Sequence, residues 1–77
     1  MATYNGHKNW AYWNVALWIT NDEGLYTIAR DMMRRHKTRD KAARAIVNEL
    51  SEMGITKTPD GARYTISAVR AALSGLE

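Results

Sequence analysis

The chain has 77 residues, no cysteine and a formal net charge of +3. A chain of this length forms one domain, because two separate cores would each be too small to offset chain entropy. The lack of cysteine excludes disulfides, thiolate metal sites and a cysteine nucleophile. We find no apolar leader and no stretch long enough to cross a bilayer, so we expect a cytoplasmic protein that does not contact the membrane.

The first predicted helix follows a polar segment. Residues 1–8 show no periodicity and predict a flexible arm. Asn9 is a suitable N-cap for a helix from Trp10 to about Thr20. This helix is apolar nearly all round, with Asn14 in its middle needing a buried partner if its side is covered. Such a helix is expected to be central, but its two apolar faces also allow a homodimer.

The three tryptophans of the chain all lie in this first helix. On a helical wheel Trp10 and Trp13 share a face with Leu17, and we expect them in the core. Trp18 lies on the second apolar face. An exposed tryptophan or tyrosine often anchors a protein interface. Tyr12 and Trp18 are therefore the predicted aromatic contacts with a partner.

Two further helices are predicted from capping residues and apolar stripes. Asp22 and Glu23 suit the start of the second helix, which runs to about His36. Its apolar stripe consists of Leu25, Ile28, Ala29, Met32 and Met33. The third helix is predicted from about Thr38 to Met53, and Gly54 ends it. Its apolar face consists of Ala42, Ala43, Ile46, Leu50 and Met53.

A dense group of cations, which we call the basic block, spans the second and third predicted helices. It consists of Arg30, Arg34, Arg35, Lys37, Arg39, Lys41 and Arg44. Only Asp31 and Asp40 oppose these charges in the same stretch, which gives a local net charge of +5 (seven minus two). Such a block attracts phosphates or an acidic protein surface. The alternative is the solvated face of a helical hairpin.

The remaining segment is predicted to contain a loop and a fourth helix. Residues 55–61 include a Pro-Asp-Gly turn, and a short strand pair can form on its flanks. The last helix is expected to begin near Thr65; a start at Thr58, with Pro59 in the first position, is the competing choice. No segment shows sustained alternation of apolar and polar residues. The sequence therefore predicts an all-α fold, a single small domain of four helices.

Enzyme chemistry has little support in this sequence. The two histidines, His7 and His36, have no serine, carboxylate or second histidine at the spacing of a catalytic triad or a metal site. The five glycines are dispersed, and none forms a phosphate-binding loop. We expect a binding protein without a cofactor or metal ion.

The first quarter of the chain resembles a signature of small uncharacterised proteins encoded by bacteriophages and plasmids. The matching residues are Tyr4-Asn5-Gly6, Asn9-Trp10, Trp13-Asn14-Val15, Leu17-Trp18 and Asn21-Asp22. Compact phage proteins of this type include antagonists of host defence, such as anti-CRISPR and anti-restriction proteins. The resemblance implies an inhibitor that acts in the bacterial cytoplasm by docking on a defence protein or protein–nucleic-acid complex.

The C-terminal half is similar to the helix-turn-helix of large serine recombinases, over roughly residues 42–75. The matching residues are Leu50, Gly54-Ile55, Thr58-Pro59, Gly61, Tyr64, Val69-Arg70 and Leu73. This resemblance implies duplex DNA as the rival partner. Ser67 and Arg70 would then lie near base edges, and Lys57 and Arg63 would contact phosphates. Two packed helices joined by a turn explain the same apolar spacing.

Overall fold

The computed structural model describes residues 9–76 and contains four helices, each of which begins after a capping side chain. They are α1 (Trp10–Asn21), α2 (Glu23–Arg35), α3 (Arg39–Glu52) and α4 (Ile66–Ser74). The side chains of Asn9, Asp22, Thr38 and Thr65 accept hydrogen bonds from backbone N–H groups at the starts of these helices. The predicted all-α, four-helix domain is confirmed. The predicted flexible arm, residues 1–8, lies outside the described residues.

The connection between α3 and α4 contains a tight turn. The Gly61 N–H donates to the Thr58 carbonyl at 2.9 Å, and Gly61 has a φ of +99° that favours glycine. An isolated antiparallel bridge joins Lys57 to Arg63 on the flanks of this turn, which is the smallest form of the predicted strand pair. Because Thr58 is in the turn, α4 cannot begin there. The predicted start near Thr65 is confirmed, and the competing start is wrong.

The core lies where each helix meets two others. Both α1 and α3 pack against α2 and α4. The largest fully buried side chains are Val15, Ile19, Ile46, Leu50, Val69 and Leu73, together with Asn14. Small buried residues surround them: Ala29, Ala42, Ala43, Ala68 and Ala72. The core is therefore built from aliphatic residues on closely approaching, alanine-rich helices.

The face of α1 that packs against the core is not the predicted one. Trp10 is 39% exposed, and Trp13 and Leu17 are only partly buried, whereas Val15 and Ile19 are fully buried. The expectation that Trp10 and Trp13 form the core is wrong. Neighbouring helices that meet through alanines leave little space for an indole, but they accommodate valine and isoleucine.

The end of α3 differs from the prediction in one detail. Met53, expected on the apolar face of α3, is 55% exposed. It is the C-cap residue, and the chain turns at Gly54, where φ is +80°. Its side chain thus lies beyond the last turn that packs against the core.

Candidate functional site

The basic block surrounds the connection between α2 and α3, and several of its cations have partners. Arg34 and Arg35 each lie 3.1 Å from a carboxylate oxygen of Asp31. The Arg44 Nε lies 3.3 Å from Asp40 Oδ2. These pairs are solvent-exposed and contribute little to stability. They place the two acidic residues of this stretch, Asp31 and Asp40, directly beside three of its seven cations.

Other members of the block differ in how available they are. The Arg30 guanidinium lies over the Tyr26 ring, 5.8 Å from its centroid, and donates to the Tyr26 hydroxyl at 3.2 Å. Lys37 and Lys41 are exposed and form no ion pair within residues 9–76. Those two lysines are the cations best placed to meet an acidic partner at this end of the molecule.

Helix α4 joins the basic block through two contacts. Arg39 Nη1 donates to Ser74 Oγ at 3.0 Å. Arg70, predicted to read DNA bases, lies 4.0 Å from Asp40 Oδ1. Arg70 therefore borders the basic block.

One side of α1 carries an uncharged apolar stripe that is exposed at Trp10 and partly buried further along the helix. It consists of Trp10, Trp13 and Leu17, spaced as neighbours along one helix face, and we call it the outer face. No residue from Trp10 to Asn21 carries a formal charge. Tyr12, one of the two predicted aromatic contacts, instead packs partly buried against the core. The outer face thus presents aromatic side chains that the sequence analysis assigned to the core.

Trp18, the other predicted aromatic contact, lines a groove of about 320 Å³. The groove lies between α1, the start of α2 and the loop before α4. Its other lining residues are Asp22, Leu25, Ile55, Lys57, Pro59 and Tyr64. The lining is mainly apolar and aromatic, with one carboxylate and one ammonium group.

A hydrogen-bond network fixes the loop wall of this groove. The Asn14 Nδ2 and Trp18 Nε1 groups both donate to Asp60 Oδ2, at 2.8 and 2.9 Å. Thr58 Oγ1 donates to Asn14 Oδ1 and accepts from the Ala62 N–H. The fully buried Asn14 amide therefore has partners on both of its polar atoms. These contacts hold the Pro-Asp-Gly turn against α1.

The same network affects the ionisation of the Asp60 side chain. The hydrogen bond from Asn14, followed by that from Trp18, lowers the pKa of the Asp60 carboxyl below its ordinary value of 3.8, and desolvation opposes this only in part. Both donors favour the carboxylate over the neutral acid. Asp60 is thus ionised at neutral pH, although its charge is already bound by two donors.

Tyr64 is buried in the wall of the groove. Burial, and then the negative charge of Asp22, raises the pKa of the Tyr64 phenol above 10. The hydroxyl consequently stays protonated at neutral pH. The groove therefore presents a neutral aromatic wall at this position.

The predicted phosphate contacts, Lys57 and Arg63, lie opposite each other on the hairpin beside the groove. Backbone hydrogen bonds flank this pair: Thr58 N to Ala62 O at 2.7 Å and Tyr64 N to Thr56 O at 3.0 Å. In this arrangement the opposing residues form a non-hydrogen-bonded pair, whose side chains lie close together. Both are exposed, and neither forms an ion pair in the described part of the chain. Two adjacent cations are thus left without a counter-charge.

The remaining residue of the predicted DNA-binding set, Ser67, belongs to α4 and not to the hairpin. Ser67 is exposed in the first turn of α4. The connection that precedes α4 spans residues 53–65 and includes the bridged turn. A helix-turn-helix joins its two helices by a turn of about three or four residues. The α3–α4 pair is therefore connected differently from that motif.

Sequence reasoning missed the outer face and most of the groove. A helix face that stays in contact with water normally carries charged residues. No residue from Trp10 to Asn21 is charged, and this absence could have indicated that the outer face is a contact surface. The groove depends on the long-range approach of the Pro-Asp-Gly turn to Asn14, which no local pattern indicates.

Residues 9–76 contain no group of three histidine, aspartate or glutamate side chains arranged to hold a metal ion. Within the same residues, no helix combines the length and the apolar character needed to cross a membrane.

The sequence profile of a family described as a family of unknown function, DUF7249, matches residues 1–73. No curated protein and no solved structure is similar enough to count as a match.

Proposed function

Because the chain belongs to the family of unknown function DUF7249, we propose its function from its surfaces: it is a non-enzymatic binding protein of a phage or mobile element. Its partner is a defence protein or protein–nucleic-acid complex in the cytoplasm of a bacterial host, in the manner of an anti-CRISPR inhibitor. The phage-like signature of the first quarter of the chain supports this class of partner. The outer face of α1 is the observation that carries the binding role.

The outer face has the composition of the centre of a protein interface. Such centres are depleted of charged residues and enriched in aromatic side chains, and tryptophan is the residue type most enriched among binding hot spots. Trp10 is 39% exposed on a helix without any formal charge. An exposed tryptophan on an uncharged helix face is suited to the centre of an interface, where few charged groups have to be desolvated. We therefore assign the anchoring contact to Trp10, Trp13 and Leu17.

The basic block supplies the electrostatic part of the same function. Lys37 and Lys41 are its exposed cations without an ion pair in the described residues. Exposed cations around a docking site chiefly increase the association rate with an acidic partner and add less to the final affinity. Binding is thus expected to slow as the salt concentration rises.

Site-specific photo-cross-linking tests this proposal. The photoreactive residue benzoylphenylalanine replaces Trp10 in one variant and Met53 in a control, and each is irradiated in lysate from bacteria that carry defence complexes. Met53 is a suitable control because it is 55% exposed, more than Trp10, and is the C-cap of α3, on a different helix from the outer face. We expect a discrete protein adduct, containing a component of a defence complex, from position 10 only. Equal adducts from both positions, or none from position 10, would contradict the proposal.

Duplex DNA is the second candidate partner, and the adjacent cations Lys57 and Arg63 favour it. Phosphate contacts make binding fall steeply with salt, whatever the base sequence. An electrophoretic shift of duplex DNA by the protein alone, lost on raising the salt, would move the assignment to DNA. A double charge reversal, Lys57→Glu with Arg63→Glu, would then abolish the shift, whereas Lys37→Glu with Lys41→Glu would leave most of it.

A second copy of the chain is the third candidate, since the outer face is uncharged and can meet itself without repulsion. The contact area argues against a stable dimer. The three side chains expose on the order of 200 Å² together, whereas a stable interface needs about 800 Å² from each partner. A heterologous partner that surrounds the stripe can supply the remaining area.

A further inference from the structure

We propose that the groove beside the Pro-Asp-Gly turn is a second binding site, separate from the outer face, for an acidic peptide segment of a partner protein. One apolar side chain of that segment enters between Trp18, Leu25 and Tyr64. A neighbouring carboxylate of the segment pairs with Lys57 and Arg63 on the hairpin.

The size and lining of the groove fit a short peptide segment with one anchoring side chain. Its volume of about 320 Å³ is at the lower end of the range for ligand sites, which are mainly apolar with a few polar groups. Ile55 and Pro59 add to the apolar wall formed by Trp18, Leu25 and Tyr64. Leucine, methionine or an aromatic side chain would occupy the apolar part of this space, and the adjoining residues of the segment would cover the rest.

The groove is held open by contacts that do not depend on a ligand. Trp18 Nε1 and Asn14 Nδ2 both bind Asp60 Oδ2, and these bonds fix Trp18 and the turn relative to each other. The Tyr64 side chain is only 5% exposed and cannot rotate into solvent without losing its packing. A preformed site loses little conformational entropy on binding. A short peptide segment can therefore bind without first ordering the loop.

The charges around the groove favour a carboxylate ligand over a nucleic acid. Lys57 and Arg63 are like charges in a directly opposed pair, an arrangement that destabilises the hairpin until an anion lies between them. Asp22 lines the groove itself, so a continuous phosphate backbone lying along the groove would meet that carboxylate, whereas a peptide can place its single carboxylate on the hairpin, at Lys57 and Arg63. In a peptide, one carboxylate can pair with the two cations while a neighbouring apolar side chain packs against the apolar lining.

Selection from a random heptapeptide display library tests the site without assuming a sequence. We expect the wild-type protein to enrich peptides with leucine, methionine or an aromatic residue next to aspartate or glutamate. The most enriched peptide is then synthesised and titrated into ¹⁵N-labelled protein. The indole N–H signal of Trp18 should shift, and that of Trp10, on the outer face, should not.

Matched charge reversals complete the test. Lys57→Glu should weaken binding of the selected peptide about tenfold or more, because one of its two cationic contacts becomes repulsive. Lys41→Glu, the same change in the basic block, should leave the affinity within about twofold. Both lysines are exposed, so neither change is expected to unfold the domain.

Three results would overturn the proposal: no enrichment above the starting library, a shift of the Trp10 signal in place of Trp18, or equal loss of affinity in both charge-reversal variants. A shift of the Trp18 signal by duplex DNA but by no selected peptide would assign the hairpin cations to nucleic acid. None of these results affects cross-linking from position 10, so failure at the groove is distinguishable from failure of the proposed docking function.

Discussion

Asn14 is a fully buried amide in a helix whose other buried residues are apolar. Its two polar atoms join α1 to Asp60 and Thr58 of the turn. A buried amide of this kind stabilises a fold only while all its partners are present. The residue therefore specifies which part of the loop contacts α1, a task that an apolar side chain could not perform.

Replacing Asn14 with alanine should lower the free energy of unfolding by about 2–3 kcal/mol, because the Thr58 hydroxyl loses its acceptor and Asp60 loses a donor. Urea denaturation followed by far-UV circular dichroism measures the change. Asn48→Ala, at an exposed position of α3, is the control and should change stability by less than about 0.5 kcal/mol. Equal effects of the two changes would show that the network contributes nothing.

Asp60 should make the stability of the protein depend on pH in acid. The hydrogen bonds from Asn14 and Trp18 lower its pKa in the folded protein below 3.8, the value expected for the unfolded chain. The stabilisation is thus fully present above about pH 4 and is lost as the pH falls through the lower, folded-state pKa. Asp60→Asn should therefore be less stable than wild type at pH 7, and the difference should shrink as the pH is lowered from about 4 to 2. Thermal unfolding of both proteins at a series of pH values measures this difference. A difference that stays constant from about pH 4 to 2 would show that the ionised Asp60 carboxylate does not stabilise the fold.

At the scale of elements, the orientation of α1 decides which of its large side chains support the fold. Ile19→Ala should cost about 2–4 kcal/mol, because Ile19 is 1% exposed in the core. Trp10→Ala removes a larger side chain but should cost less than about 1 kcal/mol, since Trp10 is 39% exposed. Urea denaturation of both variants tests the orientation. A larger loss of unfolding free energy from Trp10→Ala than from Ile19→Ala would show that the tryptophan face belongs to the core.

The sequence predicted the helices well but not the rotation of α1. Helix starts depend on local chemistry, so Asn9 and Thr65 mark their helices correctly. The turn at Gly61 is local in the same way. A helix that is apolar nearly all round has no single preferred face on a wheel, and its orientation follows from the alanines of the partner helices. Similarly, the groove depends on contacts between distant segments, so its lining could not be read from spacing.

At the scale of the whole molecule, charge and apolar surface are separated. The net charge of +3 arises largely from the basic block around the α2–α3 connection, whereas α1 carries no charge. A partner that is acidic at one place and apolar at another would match this division. The groove differs from both surfaces because the loop before α4 forms one of its walls and supplies its pair of cations.

The area of the outer face predicts that the protein is mainly monomeric at micromolar concentration. Its exposed apolar surface is well below the roughly 800 Å² per subunit that a stable interface requires. Sedimentation equilibrium or light scattering on the isolated protein measures the mass, which should be close to 8.7 kDa. A dimer that persists on dilution and is dissociated by Leu17→Lys would identify α1 as a self-association surface.

The bond between Asn14 and Asp60 joins residues that are 46 positions apart in the chain. Contacts within the α2–α3 hairpin require only a short loop to close, whereas this bond requires a long one. We therefore expect the contact between α1 and the Pro-Asp-Gly turn to form late in folding and to open before α2 and α3 separate. Native-state hydrogen exchange should reveal this order as lower protection of the amides in α1 than of those in α3. The groove, which lies between α1 and this turn, would then belong to the part of the molecule that opens first, and a bound peptide segment would slow its opening.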